Sequence, residues 1–162
     1  MIDRHTISLL ESYRQKGILV DTNILLLYFV GSVNPKRISQ FKRTNQFNVD
    51  DFELLIQILG YFQKIVTTPN ILTEVSNLIG QLTDPEKSLC FNVLAMATAK
   101  LTEVYVPSDV VTSSVQFTRF GITDCGIEQI AKGSYLVLTD DFKLSNYLST
   151  LQIDIINFNH LR

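Results

Sequence analysis

The stretch ILVDTNILLLYFV, residues 18–30, decides the fold. It opens on the apolar run Ile18, Leu19, Val20, breaks on Asp21, Thr22 and Asn23, and resumes as an apolar run without alternation over 24–30. A short apolar run ended by a polar break suits a buried strand, and a longer one lacking a period of two suits a buried helix. Strand, polar turn and buried helix is the predicted parse. The stretch YLVLTDDF, residues 135–142, repeats the first half of it: the apolar run 135–138 has no polar face and ends on Thr139, Asp140 and Asp141. A strand apolar on both faces belongs to a parallel sheet covered on both sides.

Outward from these two anchors the chain alternates helical and strand patterns. Ile7, Leu9, Leu10 and Tyr13 predict a helix over 3–16, with Gly17 as its stop. A strand is expected at 65–66, after which Thr68 and Pro69 fit the N-cap and first position of a helix carrying Ile71, Leu72, Val75, Leu78 and Ile79, with Glu74 on it. Asp84 and Pro85 repeat that start signal for a helix to about residue 100, and a strand at 104–106 is closed by Pro107. Ser108 starts a helix to about 117, Thr123 caps another over 124–131 that Gly133 ends, and a helix at 142–148 precedes a strand at 153–156. Between the first helix–strand unit and the second, residues 31–48 turn polar and basic; they read as an insertion, followed by Asp50 as N-cap for an amphipathic helix over 52–62. The expectation is an α/β fold with a mostly parallel central sheet, in which sites form outside the carboxyl ends of the strands.

A length of 162 residues with 46% hydrophobic content suits one domain, 1–162, with its own core. Fourteen Lys and Arg against 16 Asp and Glu, a net charge of −2, exclude a globally basic surface, so any nucleic-acid contact must come from a local patch. Cys90 and Cys125 lack Cys-x-x-Cys spacing and sit in apolar helical patterns, where cysteine acts as a small hydrophobe. No apolar run reaches the ~18 residues that span a bilayer, and the acid at Asp3 is followed by no signal-like apolar segment. A cytoplasmic protein with no membrane partner is expected.

The acids take their meaning from the expected topology. Asp21 follows the first strand, Asp124 starts a helix, Asp140 and Asp141 follow the strand at 135–138, and Glu74 lies about one turn inside the helix after the second strand. Taken singly, Asp124 is explained by a helix start, Glu74 by a solvated helix face, and Asp21 by a turn. Gathered at one sheet edge, carboxylates raise one another's pKa and call for a cation that offsets their charge. Oxygen-only ligands suit Mg²⁺ or Mn²⁺, which lower the pKa of a water and stabilise a leaving oxygen in phosphoryl chemistry. His5 and His160 lie near the termini with no nucleophile beside them, which argues against a Ser-His-Asp or histidine-based mechanism.

In order and spacing these motifs resemble the PIN-domain nucleases, including the toxin members of bacterial toxin–antitoxin pairs. Val20, Asp21, Thr22 and Asn23 with the apolar run behind them look like the opening motif; Pro69, Leu72, Glu74 and Val75 look like the helix-borne glutamate; Thr123 and Asp124 with Ile127, Ile130 and Ala131 look like the third motif; Leu138, Thr139, Asp141 and Phe142 look like the final Thr-x-Asp element. The resemblance implies a three-layer α/β/α fold and a Mg/Mn-dependent endoribonuclease, a hydrolase cutting RNA phosphodiesters. Asp21, Glu74, Asp124 and Asp141 would be its catalytic and metal-binding carboxylates, with Asp140 as the alternative fourth acid, Thr139 holding a carboxylate or water, and Asn23 fixing the first loop. The partners it implies are RNA, an antitoxin protein for a toxin member, and a second copy in a homodimer. Lys36, Arg37, Lys42 and Arg43, interleaved with Phe41 and Phe47, are candidates for tracking an RNA backbone; the competing reading is a solvated loop with two aromatics tucked onto the core. Two other functions stay open: a PIN-fold interaction module without catalysis, and a receiver-like or phosphatase-like domain using Asp21 as phosphoacceptor.

Overall fold

The central strands of the computed structural model, which describes residues 3–162, are the two runs that anchor the sequence. Strand β1 is Ile18–Val20 and β4 is Leu136–Thr139, and every residue of both is buried. They pair in parallel, Ile18 with Leu136 through Val20 with Leu138. Strand β2, Ile65–Thr67, lies on the other side of β1, followed by β3, Thr102–Glu103, and β5, Ile155–Asn157, lies beyond β4. The five-stranded sheet runs β3-β2-β1-β4-β5 and every pairing is parallel.

Parallel neighbours require crossovers, and helices supply them. Helix α1 is Arg4–Tyr13, capped by the Asp3 side chain, and α2 is Thr22–Val33, capped by Asp21. Helices α3, Val49–Tyr61, α4, Pro69–Ile79, and α5, Glu86–Thr98, pack with α2 on one side of the sheet. The short α6, Ser108–Thr112, leads into α7, Phe117–Ala131, which packs on β4 and on α8, Phe142–Thr150; α8 packs on β5 and α1 on β4. Helices therefore cover both faces, giving a three-layer α/β/α arrangement. Buried Ile18, Leu19, Val20, Leu136, Val137 and Leu138 in the middle layer each contribute roughly 1.5–3 kcal/mol of burial. Cys90 and Cys125 are buried free thiols. No helix among the described residues is long and apolar enough to cross a membrane.

Several boundaries differ from the expectation. The predicted break at residue 31 falls inside α2, because Gly31 is a contact point rather than an end: a Cβ there would meet the Phe52 ring at 2.3 Å. The rest of the insertion forms a 3₁₀ turn at Pro35–Arg37 and a series of tight turns, and it buries Ile38, Phe41 and Phe47. The cap of α3 is Asn48 rather than Asp50, since Asn48 and Asp51 exchange side-chain-to-backbone bonds as a capping box. Thr68 and Pro69 hold their expected roles. Strand β3 sits two residues ahead of 104–106, where Thr102 and Glu103 meet Val66 and Thr67; only the Val104 N–H, donating to the Thr67 carbonyl, continues the ladder toward Pro107. Strand β5 likewise begins later and extends to Asn157.

Thr123 does not cap a helix. Instead α7 is broken two residues earlier, at Gly121, whose φ of 80° and ψ of −175° are open essentially to glycine alone. Helical geometry resumes after that break, which puts Asp124 in a first turn and frees the Thr123 hydroxyl for a distant partner.

Candidate functional site

From β1 the chain steps outward to β2 and β3, then returns to lay β4 on the opposite side of β1. The crossovers diverge at this point, and in open α/β sheets such a reversal leaves a crevice beyond the carboxyl ends of the two strands. Asp21 follows β1 and Asp140 follows β4 directly, so the topology alone brings them together.

Asp21 is 7% exposed. One carboxylate oxygen accepts the Thr22 N–H at 2.7 Å and the other accepts the Thr139 hydroxyl at 2.5 Å. The same Thr139 oxygen accepts the Asp141 N–H at 3.1 Å, so a single hydroxyl ties the ends of β1 and β4. Burial pushes the Asp21 pKa up to about 6; the Thr139 and Thr22 hydrogen bonds oppose the shift, and the charges of Asp140 and Asp141 add to it.

Glu74 reaches the crevice from α4, where it is received by two threonines. The Thr22 hydroxyl donates to Oε2 at 2.9 Å and the Thr123 hydroxyl donates to Oε1 at 2.6 Å. Asp124, half-buried, has its pKa pushed up to about 7, first by burial and then by the charges of Asp21, Asp141 and Glu74. The four acids therefore act on one another electrostatically.

The doublet divides its work. Asp140 accepts Nδ2 of Asn23 at 3.3 Å and Nε2 of Gln46 at 2.7 Å, while its backbone carbonyl accepts from Asn159. Burial raises its pKa. Asp141 is the N-cap of α8: its Oδ1 accepts the N–H groups of Lys143 and Leu144, and its charge bears on both Asp21 and Asp124. Asp140, half-buried, and Asp141, exposed, both act on Asp21, and Asp141 acts on Asp124 as well.

None of these five acids is in an ion pair among the described residues, where the pairs are Arg37 with Glu86, Lys87 with Asp84 and Arg162 with Asp51. The five acids, of which Asp21, Asp124 and Asp140 have raised pKa values, form an all-oxygen, negatively charged donor set, which fits a hard divalent cation by chemistry. Among the described residues, however, no three acidic, His or Cys side chains are drawn together closely enough to hold an ion as they stand.

The basic residues of 31–48 are placed elsewhere. Arg37 pairs with Glu86 at the start of α5, Arg43 donates to Gln81 just beyond α4, and Lys36 and Lys42 are exposed. The 12 residues of α2, about 18 Å along the helix, separate Asp21 from the 3₁₀ turn that carries Lys36 and Arg37. Only its end returns to the crevice, through Gln46, whose carbonyl is held by Arg162 at 2.8 Å. Sequence reasoning missed Gln46, Thr22 and Thr123 as site residues. The two threonines stand beside Asp21 and Asp124 and could have been suspected there, whereas nothing local marks Gln46. Phe41 and Phe47 are packed into the core, as the competing reading had it.

No protein-family model matches the chain, and a search of curated proteins returns no match.

Proposed function

We propose that this chain is a metal-dependent ribonuclease of the PIN type, hydrolysing RNA phosphodiester bonds at the crevice between β1 and β4. The observation that supports it is the set Asp21, Glu74, Asp124 and Asp141, drawn from four elements around the crevice where the sheet topology opens, with Asp124 feeling the charges of the other three and none of the four in an ion pair among the described residues. Mg²⁺ or Mn²⁺ bound there supplies an acidified water and charge stabilisation of the phosphoryl and leaving oxygens.

The residues supply position and charge. Thr139 fixes the buried Asp21 carboxylate, and Thr22 and Thr123 orient Glu74 from either side. Asp21 and Asp124, with pKa values near neutrality, take up a proton or a cation at the same oxygens, so protons and metal compete. Asn23 and Gln46 hold the Asp140 carboxylate. A toxin role with an antitoxin partner, and assembly with a second copy, follow from the motif resemblance alone. The receiver-like alternative is disfavoured by topology, since those sheets run 2-1-3-4-5 whereas this one runs 3-2-1-4-5, and both Asp21 oxygens are already hydrogen-bonded. A non-catalytic interaction module draws support from one observation, the spread of the acids.

Incubation with a single-stranded oligoribonucleotide separates these readings. Cleavage should appear with Mg²⁺ or Mn²⁺, vanish in excess chelator and be lost in Asp21→Asn. Cleavage that persists in chelator would point to metal-free chemistry; absence of both cleavage and Mn²⁺ binding by calorimetry would leave the interaction module as the better account.

A further inference from the structure

The substrate of such a site is a polyanion, and the acidic crevice repels it, so cations must lie close by. Most of the 14 Lys and Arg are in the wrong place. Lys16, Lys64, Lys100 and Lys132 each stand just ahead of β1, β2, β3 or β4, at the edge of the sheet opposite the acids. Arg37, Lys87 and Arg162 are in ion pairs, and Arg43 is bonded to Gln81.

Arg4 and Arg14 belong to α1 and its C-cap, Lys36 and Lys42 to the segment 31–48, and the two cations that remain share a groove. Lys143 is two residues past Asp141, which accepts its N–H, and Arg119 precedes Asp124 by five residues across the Gly121 break. Together with Gln116, Asn146, Tyr147 and Thr150 they line an open groove of about 410 Å³ between α7 and α8. Residues 143, 146, 147 and 150 fall at i, i+3, i+4 and i+7, one face of α8, and 116 and 119 fall on one face of α7. The groove is firm: Tyr147 stacks on Phe120 with ring centroids 4.8 Å apart, and the Arg119 guanidinium sits over Phe120 at 4.9 Å. Neither Arg119 nor Lys143 has an ion-pair partner among the described residues. Between Asp141 and Lys143 stands Phe142, 52% exposed and beside the His160 ring at 5.6 Å.

We infer that the α7–α8 groove binds the phosphate backbone of single-stranded RNA next to the cleavage site, with Arg119 and Lys143 as its phosphate contacts and Phe142 as a base-stacking surface. The inference rests on the ribonuclease reading, and it moves the RNA path from residues 31–48 to the opposite flank of the acids. Lys143 lies in the first turn of α8, whose N-cap is Asp141, so a strand whose phosphate meets Lys143 passes the end of α8 that borders the carboxylates, with Phe142 exposed on the adjacent face of that turn. An arginine laid on an aromatic ring keeps its edge N–H donors for a phosphate, and an exposed aromatic accepts any base.

The test uses the whole chain in chelator, where binding is read without cleavage. A fluorescein-labelled oligoribonucleotide of about 12 nucleotides is titrated by anisotropy over a salt series. Arg119→Ala with Lys143→Ala should weaken binding by about tenfold or more and lower the slope of log affinity against log salt by about 1.4, the value for two phosphates on a single strand. Phe142→Ala should weaken binding without changing that slope. Lys64→Ala with Lys100→Ala, on the opposite edge, should leave both quantities unchanged. Unchanged binding by the Arg119 and Lys143 double variant, loss of binding on replacing Lys36, Arg37, Lys42 and Arg43 instead, or no binding by the parent at low salt would each overturn the groove. Asp21→Asn keeps the groove, so it should bind the oligomer yet fail to cut it; that variant cutting normally would sink the ribonuclease reading while leaving the binding result intact.

Discussion

Asp21 is the residue on which the fold and the proposed chemistry conflict. Its folded pKa of about 6 and the value near 7 for Asp124 both lie above the ordinary 3.8 of an aspartate. A carboxyl raised on folding stabilises the fold while it is protonated and loses that contribution as pH rises through its folded pKa. The metal-free protein should therefore lose stability between pH 5 and pH 8, and thermal unfolding in chelator should show a lower Tm at the higher pH. Asp21→Asn preserves the acceptor for the Thr22 N–H and can donate to Thr139, with no charge to bury. It should raise the Tm at pH 8 in chelator and flatten the pH dependence, while weakening Mn²⁺ binding in calorimetry. A Tm in chelator that climbs from pH 5 to pH 8 would show that the buried charge is compensated by something other than a bound cation.

Among the elements, α7 shows what was legible in the sequence and what was not. Strands β1, β2 and β4, helices α1 and α4 and the acids that follow β1 and β4 could be read directly, because an apolar run ending on a polar residue marks both the strand and its exit. Helix α4 was readable for a related reason, since the Thr68 hydroxyl accepting the Ile71 N–H and the proline behind it are local signals. Non-local geometry was not readable. Thr123 looks like a cap and serves instead to hold Glu74, and Gln46 reaches Asp140 across 94 residues. Gly31 looks like a boundary and is the place where Phe52 packs. Strand β3 is positioned by its neighbour's register rather than by its own hydrophobicity. Gly121 offers the sharpest test at this scale. Any side chain there meets open space but must adopt a φ of 80° with an extended ψ, a strain of about 1–3 kcal/mol. Gly121→Ala should lower denaturant stability by about that amount and weaken Mn²⁺ binding as Thr123 and Asp124 shift, whereas Gly126→Ala, also in open space but without a positive φ, should be neutral or slightly stabilising. Equal effects at the two glycines would mean that the break does not aim the site.

At the scale of the whole molecule, charge is sorted along the strand direction, with carboxylates beyond the carboxyl ends and lysines ahead of the amino ends of four strands. Glu74 is held by two threonine hydroxyls and Asp141 by its capping bonds, and a cation bound at the proposed site would have to draw the acids closer together than they stand. Binding to the folded state alone adds stability of RT ln(1 + [L]/Kd), about 2.7 kcal/mol at a hundredfold excess over Kd. A cation bound at Asp21 and Asp124 would displace protons from groups with pKa values of about 6 and 7, so its affinity would rise with pH over that window. Saturating Mn²⁺ should then raise the Tm at pH 8 by several degrees and at pH 5 by little, reversing the pH trend seen in chelator. Calorimetry at pH 6 in two buffers of different ionisation enthalpy should register protons released on binding, and Asp21→Asn should release fewer. A Mn²⁺-induced Tm increase equal at both pH values, with no proton release, would place the cation away from Asp21 and Asp124.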